Sequence, residues 1–224
     1  MIKSMKNSLQ DSIYNDLRKK IIDFELVPGT LISVYDISKD MGISRTPVRE
    51  AFIRLAGESL VEIQPQRKSN VSLIDMQRVS QECFFRVGLE QANYSLFMPL
   101  CNERHINALK IVEERLVSHI AKHNIAGALD LDDIFHKIPF IVTGQMLSWN
   151  EINQMNGHYH RMRNLILRFD EHVTGMLNDH AQLIDAFQHH DLEMARTVLG
   201  LHCKLPRIQE AFPEFFKPTN DVSS

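Results

Sequence analysis

Residues 44–51, Ser-Arg-Thr-Pro-Val-Arg-Glu-Ala, decide how the first third of this chain folds. Ser44 is a residue type that caps helix N-termini, and Pro47 falls in the first turn, where a missing backbone N–H costs little. At about 100° per residue, one face of the resulting helix is apolar and suited to packing on the preceding helices. That face consists of Val48, Ala51 and Leu55. The stretch predicts a helix with a buried side and a basic outer side.

The basic side of this helix has the residue types that read DNA. Arg45, Thr46 and Arg49 project from its N-terminal half, the part that meets base edges in helix-turn-helix proteins. An arginine there can bind guanine O6 and N7 with two hydrogen bonds, which discriminates between bases by about 1–3 kcal/mol. The alternative is a solvated helix face without a ligand, and only the flanking sequence decides between the two.

Upstream, the sequence predicts two further helices. An apolar residue at every fourth position predicts a helix from Ser8 to about Phe24, with Ser8 as its cap. A short second helix opens at Ser33, with Asp36 three residues later, and closes near Gly42, because glycine is suited to a left-handed C-terminal cap.

Downstream, the sequence predicts a β-hairpin. Residues 60–64 and 70–74 alternate in polarity as paired strands do. The turn between them contains Arg67 and Lys68, which are suited to phosphate or minor-groove contacts. Three helices and a hairpin predict a winged helix-turn-helix domain over residues 1–74.

Residues 12–73 closely resemble the N-terminal domain of the GntR family of bacterial regulators. The matching segments are Leu17-Arg18, Ile21, Pro28-Gly29 before Leu31, Met41-Gly42-Ile43 running into residues 44–51, Arg54-Leu55 and Leu60-Val61. The resemblance implies a homodimer that binds a pseudo-palindromic operator in double-stranded DNA, with half-sites about one helical turn apart. The DNA contacts that we expect come from Ser44, Arg45, Thr46, Arg49, Arg67 and Lys68.

Two positions depart from this family pattern. The second helix opens with Val34-Tyr35 in place of a Glu-Arg-type pair, and Lys68 stands where a glycine usually follows the arginine of the wing. The first departure puts in doubt a DNA contact that the family's arginine commonly supplies. The second implies a different wing shape or operator preference.

From Asp75 onward the sequence has helical periodicity and no strand-like alternation. The predicted helices span 76–98, 102–122, 124–146, 149–168, 171–188 and 190–211. Residues 75–216 are therefore expected to form an antiparallel helical bundle, and residues 217–224 a polar, disordered tail. The predicted fold class is mainly α, with an N-terminal winged helix-turn-helix followed by this all-helical domain.

Four polar residues interrupt apolar stripes of the second domain. Asp132 and His136 are four residues apart, hence about 40° apart on one helix face, and His180 and His202 lie in stripes of two later helices. Without a metal, each histidine alone could be a hydrogen-bonded core residue, and Asp132 with His136 could be an isolated buried pair. Together, one carboxylate and three imidazoles suit a divalent transition-metal ion, zinc first and nickel or manganese as alternatives.

Residues 76–211 also resemble the all-helical FCD effector domain that follows many GntR DNA-binding domains. The Asp-x-x-Phe-His-type unit appears at residues 132–136, and His202 follows His180 by 22 residues, as in the family. The resemblance implies a metal that helps to hold a small carboxylate effector. It also places Arg86 at the family's arginine position, where it is expected to receive that carboxylate.

Two alternatives remain for the basic residues of this domain. Arg86 is also explained by an ion pair with Glu82 or Glu90. A second basic group along one helix is expected to form a solvated or interface face. Its members are His158, His160, Arg161 and Arg163.

The composition limits the function classes. The chain has 224 residues, 44% of them hydrophobic, and a net charge of −3, which is ordinary for a globular protein of one or two domains. It has no signal-peptide pattern and no run of about 20 apolar residues, so we expect a cytoplasmic protein without a membrane partner. Three widely separated cysteines indicate neither a disulfide framework nor a zinc knuckle.

A metal-dependent hydrolase would use the same aspartate and histidines, but the His-Glu-x-x-His signature and a nucleophile scaffold are missing. We therefore expect no enzyme but a transcription regulator, a repressor controlled by its effector through linkage. Whether the effector releases DNA or promotes its binding is not encoded in the sequence. A purely structural metal in a domain that only dimerises remains the main alternative.

Overall fold

The computed structural model of the chain describes residues 2–64, 68–204 and 206–218, with side chains from residue 9 onward. The chain divides into two compact units. One is formed by the residues up to Gln77 together with those from Gln209 onward, and the other by Arg78–Ile208. The expectation that the helical domain extends to residue 216 is therefore corrected, because residues 209–216 group with the winged unit.

The first unit has the order helix, strand, helix, helix, strand, strand. Its elements are α1 (Ile2–Ile22), β1 (Leu31–Ile32), α2 (Val34–Asp40), α3 (Arg45–Gly57), β2 (Val61–Glu62) and β3 (Ser69–Val71). Strand β3 lies between β1 and β2 and pairs with both in antiparallel register. The apolar faces of α1 and α3 pack on this sheet around Leu17, Val48 and Leu55. The predicted winged helix-turn-helix is confirmed.

Local details of this unit differ from the prediction at the ends of elements. Helix α1 begins at Ile2, so Ser8 lies inside it and is not its cap. Strand β1 has two residues, too few to produce an alternation that sequence can reveal. Ser33 caps α2 as predicted, since its hydroxyl accepts the Asp36 N–H at 3.0 Å. Gly42 has the predicted left-handed backbone, with φ 65°.

The C-terminal segment returns to this first unit. The Ile74 N–H donates to the Phe215 carbonyl at 2.8 Å, and the Lys217 N–H donates to the Ile74 carbonyl at 2.9 Å. The Phe215 ring meets the edge of Phe24, with centroids 5.5 Å apart. Lys217 is therefore bound and does not belong to a disordered tail, whereas residues 219–224 lie outside the described residues.

The second unit is entirely helical in its described part. Its helices are α4 (Met76–Phe97), α5 (Glu103–Ala121), α6 (Ile125–Thr143), α7 (Met146–Met155), α8 (Gly157–Ile166), α9 (Asp170–Gln188) and α10 (Leu192–His202), with a short 3-10 turn at Met98–Leu100. No helix in the described ranges is both long enough and apolar enough to cross a lipid bilayer.

Two predicted helices of this unit are wrong in extent. The predicted helix 149–168 is two helices, α7 and α8, which break at Asn156. Asparagine followed by glycine has low helix propensity, and this pair was not recognised as a break. The last helix was predicted to reach residue 211 but ends at His202, with Pro206 a few residues beyond, where prolines commonly follow helix ends.

The core of the second unit positions its candidate site. Helices α4, α5, α6, α9 and α10 share one apolar cluster that includes Phe97, Phe135, Leu183 and Leu199. The predicted metal ligands lie on α6, α9 and α10 beside this cluster. Every residue of α8 is buried.

Candidate functional site

The predicted recognition helix has the two faces that the sequence indicates. Val48, Ala51 and Leu55 are buried, with at most 1% exposure. Ser44, Arg45, Thr46 and Arg49 are all exposed on the other side. Ser44 occupies the N-cap position with extended backbone, but its side chain makes no capping hydrogen bond. Its hydroxyl is not committed to the helix end.

Neighbouring residues hold two of the basic groups in place. The guanidinium carbon of Arg45 lies 4.9 Å from the ring centroid of Tyr35, which is a cation–π distance. Lys68 Nζ lies 3.2 Å from Asp36 Oδ2 on α2. Both side chains of the Arg45–Tyr35 pair are exposed. Arg67, the other predicted wing contact, lies outside the described residues.

The structure brings the four predicted metal ligands together. Asp132 and His136 of α6, His180 of α9 and His202 of α10 each offer one ligand atom, and these atoms lie within 4.8 Å of one another. His136 Nε2 and His202 Nε2 are 3.2 Å apart, and His180 Nε2 lies 3.2 Å from Asp132 Oδ1. Asp132, His136 and His180 are at most 1% exposed.

Three carboxylates that the sequence analysis missed orient the three imidazoles. Glu90 Oε2 lies 2.7 Å from His136 Nδ1, and Glu113 Oε2 lies 2.8 Å from His180 Nδ1. Asp179 Oδ2 lies 3.5 Å from His202 Nδ1.

An ionised carboxylate can only accept hydrogen bonds, so Nδ1 of His136 and Nδ1 of His180 each carry the proton that they donate, and Nε2 of each ring points toward the cluster. Such outer partners commonly fix the tautomer of metal-binding histidines. The sequence could have indicated only Glu90 as such a partner, because this carboxylate lies on the apolar face of α4 between Arg86 and Tyr94.

The protonation states differ between the three histidines. Burial lowers the pKa of His202 to about 4, and the nearby carboxylate of Asp179 offsets this only in part. Burial also lowers the pKa of His136. For His180 burial acts in the same direction, but the carboxylates of Asp132 and Glu113 outweigh it and raise the pKa to about 9. At neutral pH, His136 and His202 are neutral ligands, and His180 must release a proton to bind a metal.

Two inward-facing atoms of the cluster test its fit to a metal ion. Asp132 Oδ1 and His180 Nε2 are buried and have no well-aligned hydrogen-bond partner among the residues that the structure describes. Leaving such atoms unsatisfied costs about 1–3 kcal/mol each. A cation in contact with both would remove that cost, and three nitrogens with one oxygen are a suitable donor set for a divalent transition ion. The residues fit the metal.

A cavity of about 280 Å³ opens beside the cluster, lined by Asp132, His202, Tyr159, Arg163 and Lys204 among others. This volume is close to the lower end of the range for small-molecule sites, about 300–1,000 Å³, and is enough for a small organic acid. Arg163 binds Asp132 through Nη2 and lies 2.8 Å from Asp133 Oδ1 through Nη1. Its guanidinium therefore stands between the cluster and the cavity.

Arg86, the predicted effector-binding arginine, is paired inside the unit. Its Nε lies 2.5 Å from Glu90 Oε1, both side chains are almost fully buried, and it does not line the cavity. This is the ion pair that the sequence analysis held as the alternative. Glu90 thus bridges Arg86 and His136. Burial raises the pKa of Glu90, but its contacts with these two partners outweigh burial and lower the pKa to about 2.

The expectation of a solvated or interface face on α8 is wrong. His158, His160, Arg161 and Arg163 are all buried, with at most 8% exposure. Arg163 is paired with Asp133 inside the unit. The pattern was misread because α8 is too short and too fully enclosed to show an apolar stripe.

Comparisons with known proteins agree with this architecture. Residues 9–71 match the family of bacterial regulatory proteins named gntR, and residues 83–204 match the FCD domain. An HTH-type transcriptional regulator from an unstable DNA locus of Streptomyces ambofaciens is 30% identical, over 91% of this chain and 88% of its own. The HTH-type transcriptional repressor RspR of Escherichia coli is 29% identical, over 95% of this chain and 92% of its own.

Solved structures support the fold. McbR/YncC of E. coli superposes with a TM-score of 0.73 at 18% identity, over 92% of this chain and 96% of its own. A GntR regulator from Rhodococcus superposes with a TM-score of 0.68 at 20% identity, over 93% of this chain and 97% of its own. With a winged helix-turn-helix and an FCD domain matched in the expected order, this chain belongs to the GntR family of DNA-binding transcriptional regulators.

Proposed function

We propose that this regulator is a homodimeric repressor whose helical domain binds one divalent transition-metal ion and, beside it, a small carboxylate effector. Asp132, His136, His180 and His202 hold the metal, with zinc as the expected ion and nickel and manganese as alternatives. When bound, the ion supplies a Lewis acid that attracts the effector's carboxylate.

The cavity beside the cluster is the observation that carries this proposal. Asp132 and His202 are at once members of the cluster and part of the cavity lining. A metal with only a structural role would need no open space at its ligands. Arg163 and Lys204 line the same cavity beside the carboxylates of Asp132, Glu171 and Asp179, so in this proposal the bound ion supplies the positive charge that favours an anionic occupant.

The residues around the cavity have separable roles in the proposal. Arg163 holds Asp132 and Asp133 through its two terminal nitrogens and brings its positive charge to the cavity wall, of which Tyr159 also forms part. Arg86 acts from outside the cavity, because it holds the carboxylate of Glu90 that in turn orients His136.

Repression follows from linkage between the two units. An effector changes operator affinity only by the difference between its affinities for the DNA-binding and the non-binding forms. The repressor role is supported by the name of the E. coli relative RspR. We expect Arg45, Thr46 and Arg49, together with Ser44 and the wing residues Arg67 and Lys68, to contact the operator.

The metal is tested first, by elemental analysis of the purified protein beside the Asp132→Ala and His180→Ala variants. We expect about one transition ion per chain in the wild type and a loss in both variants. His189→Ala, which removes an exposed histidine outside the cluster, is the matched control and should keep its metal. A wild-type protein that takes up no ion even after reloading would contradict the metal site.

The sensing role is tested with a DNA duplex that the wild-type protein selects from a random pool. Metal-loaded protein is titrated onto this duplex with a panel of mono-, di- and tricarboxylates, and operator affinity is followed by fluorescence anisotropy. At least one carboxylate should release the DNA, and this effect should be lost in Arg163→Ala. Operator affinity that is independent of every carboxylate would favour a structural metal.

A further inference from the structure

Two of the three cysteines meet beside the candidate metal centre. Cys83 lies on α4 and is half-buried, whereas Cys203 directly follows α10 and is 4% exposed. The Cys83 thiol donates to the Cys203 carbonyl with Sγ 2.8 Å from the oxygen. The fold thus brings together two cysteines that are 120 residues apart, one on α4 and one directly after α10.

The third cysteine provides an internal reference. Cys101 follows the far end of α4, after the 3-10 turn. Cys83 and the end of α4 at Phe97 are 14 residues apart, which corresponds to about 21 Å along the helix axis. A thiol cannot bridge that distance without local unfolding, so the fold singles out Cys83 and Cys203 as a pair.

We propose that Cys83 and Cys203 form an intrachain disulfide when a peroxide oxidises them, and that this modification weakens metal binding at His202. The second part rests on the proposed metal site, whereas the first part does not. Oxidation and metal binding are linked by the position of Cys203, which is the residue directly after His202.

The chemistry requires only the two thiols and a peroxide. The Cys83 thiolate attacks one peroxide oxygen, so an S–O bond forms, the O–O bond breaks and one water leaves after proton transfer. The Cys203 sulfur then attacks the sulfenic sulfur, so the S–S bond forms, the S–O bond breaks and a second water leaves. Two thiols lose two electrons in total, and the peroxide gains them.

Cys83 is suited to the attacking role. It is more exposed than Cys203, and therefore the peroxide reaches it first. The contact with Cys203 lowers the pKa of Cys83 against the opposing effect of burial, and the guanidinium groups of Arg86 and Arg163 act in the same direction. The thiolate is the reactive form of a cysteine, so this environment favours oxidation there.

Closing the disulfide changes the geometry next to a candidate ligand. The two sulfurs must approach to about 2.05 Å, with a restricted torsion about the new bond. The Cys83 thiol then no longer donates to the Cys203 carbonyl, and the end of α10 must shift. Metal–ligand distances tolerate changes of only about 0.2 Å, so a shift of His202 weakens the site.

The modification is tested on the full chain by treatment with hydrogen peroxide, blocking of free thiols and peptide mapping under non-reducing conditions. We expect one linked peptide pair that contains Cys83 and Cys203, while Cys101 stays a free thiol. The pair should also form in Cys101→Ser and be missing in Cys83→Ser. Three free thiols after treatment, links through Cys101, or links only between chains would overturn the proposal. The wild-type map needs no variant to fold.

The coupling is tested by the zinc affinity of reduced and oxidised Cys101→Ser protein, in competition with a chromophoric chelator. We expect at least tenfold weaker binding after oxidation, reversed by a thiol reductant, and no effect of peroxide on Cys83→Ser. Equal affinities of the two forms would overturn the coupling. If even reduced protein binds no zinc, the proposed metal site fails, and the peptide map still decides the disulfide on its own.

Discussion

Phe135 stacks on His180 with ring centroids 4.2 Å apart and the two planes inclined by 9°. The phenyl ring belongs to α6 and the imidazole to α9, so the stack joins the two helices at the candidate metal centre. Glu113 binds Nδ1 of the same imidazole. One aromatic face and one hydrogen bond therefore fix both the plane of the ring and its rotation.

Replacing Phe135 tests whether this stack positions the imidazole. Phe135→Leu keeps the site apolar but removes the flat partner, and aromatic pairs contribute about 0.5–1.5 kcal/mol beyond burial. We expect the free energy of unfolding of metal-free protein to fall by about 1–2 kcal/mol in urea titrations, and zinc affinity to fall as well. The control Phe187→Leu changes an aromatic contact with Tyr94 and Phe97. It should lower the free energy of unfolding but leave the zinc affinity unchanged. Equal zinc affinities in both variants would contradict the positioning role.

Glu113 should affect metal affinity without touching the metal. Glu113→Gln replaces the carboxylate at His180 Nδ1 by an amide, which accepts the same hydrogen bond more weakly. Loss of such an outer partner typically costs about 10–100-fold in metal affinity, and we expect this in zinc titrations. Glu114→Gln, one position along on the exposed face of α5, is the matched control and should leave the affinity unchanged. A wild-type affinity for Glu113→Gln would show that the tautomer needs no carboxylate.

The raised pKa of His180 predicts how the metal-free protein responds to pH. Its pKa is about 9 in the folded chain, whereas an unperturbed histidine has a pKa of about 6.5. A folded pKa above the unfolded one gives stability that is fully present below about pH 6.5 and is lost as pH rises through about 9. At 1.36 kcal/mol per pKa unit, the free energy of unfolding should drop by about 3 kcal/mol across that window.

Chemical denaturation in the presence of a chelator, at intervals from pH 6 to 9.5, measures this decline. His180→Gln should have a flatter profile over the same range, because the titrating group is gone. A wild-type profile as flat as that of the variant would show that His180 is not protonated in the folded metal-free chain.

Tyr35 should contribute to DNA binding by holding Arg45. An exposed cation–π contact contributes about 0.5–1 kcal/mol, so Tyr35→Ala is expected to weaken binding to the selected duplex about two- to fivefold in anisotropy titrations. Tyr35→Phe keeps the ring and should bind like the wild type, whereas Arg45→Ala should lose more than Tyr35→Ala. If Tyr35→Phe is as weak as Tyr35→Ala, the phenol hydroxyl and not the ring supplies the effect.

The DNA-binding unit was predictable because its determinants are local. Ser33, Pro47 and Gly42 each act through backbone preferences within a few residues, and the apolar face of α3 follows from helical periodicity alone. Strand β1 was not predicted, because it forms only by pairing with β3, almost 40 positions later in the chain. A two-residue strand has no sequence pattern of its own that would reveal this pairing.

The candidate metal cluster was predictable for a different reason. Asp132 and His136 are polar residues on an apolar face, and burial of a carboxylate requires a partner. The surrounding carboxylates were not found, because Glu113 is partly exposed on α5 and resembles any surface glutamate. The buried position of Arg163 was not predicted either, because its partners Asp132 and Asp133 lie about 30 residues earlier on another helix. Such pairings depend on tertiary structure and have no sequence period.

The hydrogen bonds of Ile74 with Phe215 and Lys217 make the winged unit discontinuous along the chain. The helical unit is in effect an insertion into the winged unit, because the chain enters it at Arg78 from the winged unit and returns to the winged unit after Ile208. A fragment cut after residue 77 would lose the backbone partners of Ile74 and the aromatic neighbour of Phe24. The DNA-binding unit is therefore not a detachable N-terminal module. Its complete fold requires a segment from the other end of the chain.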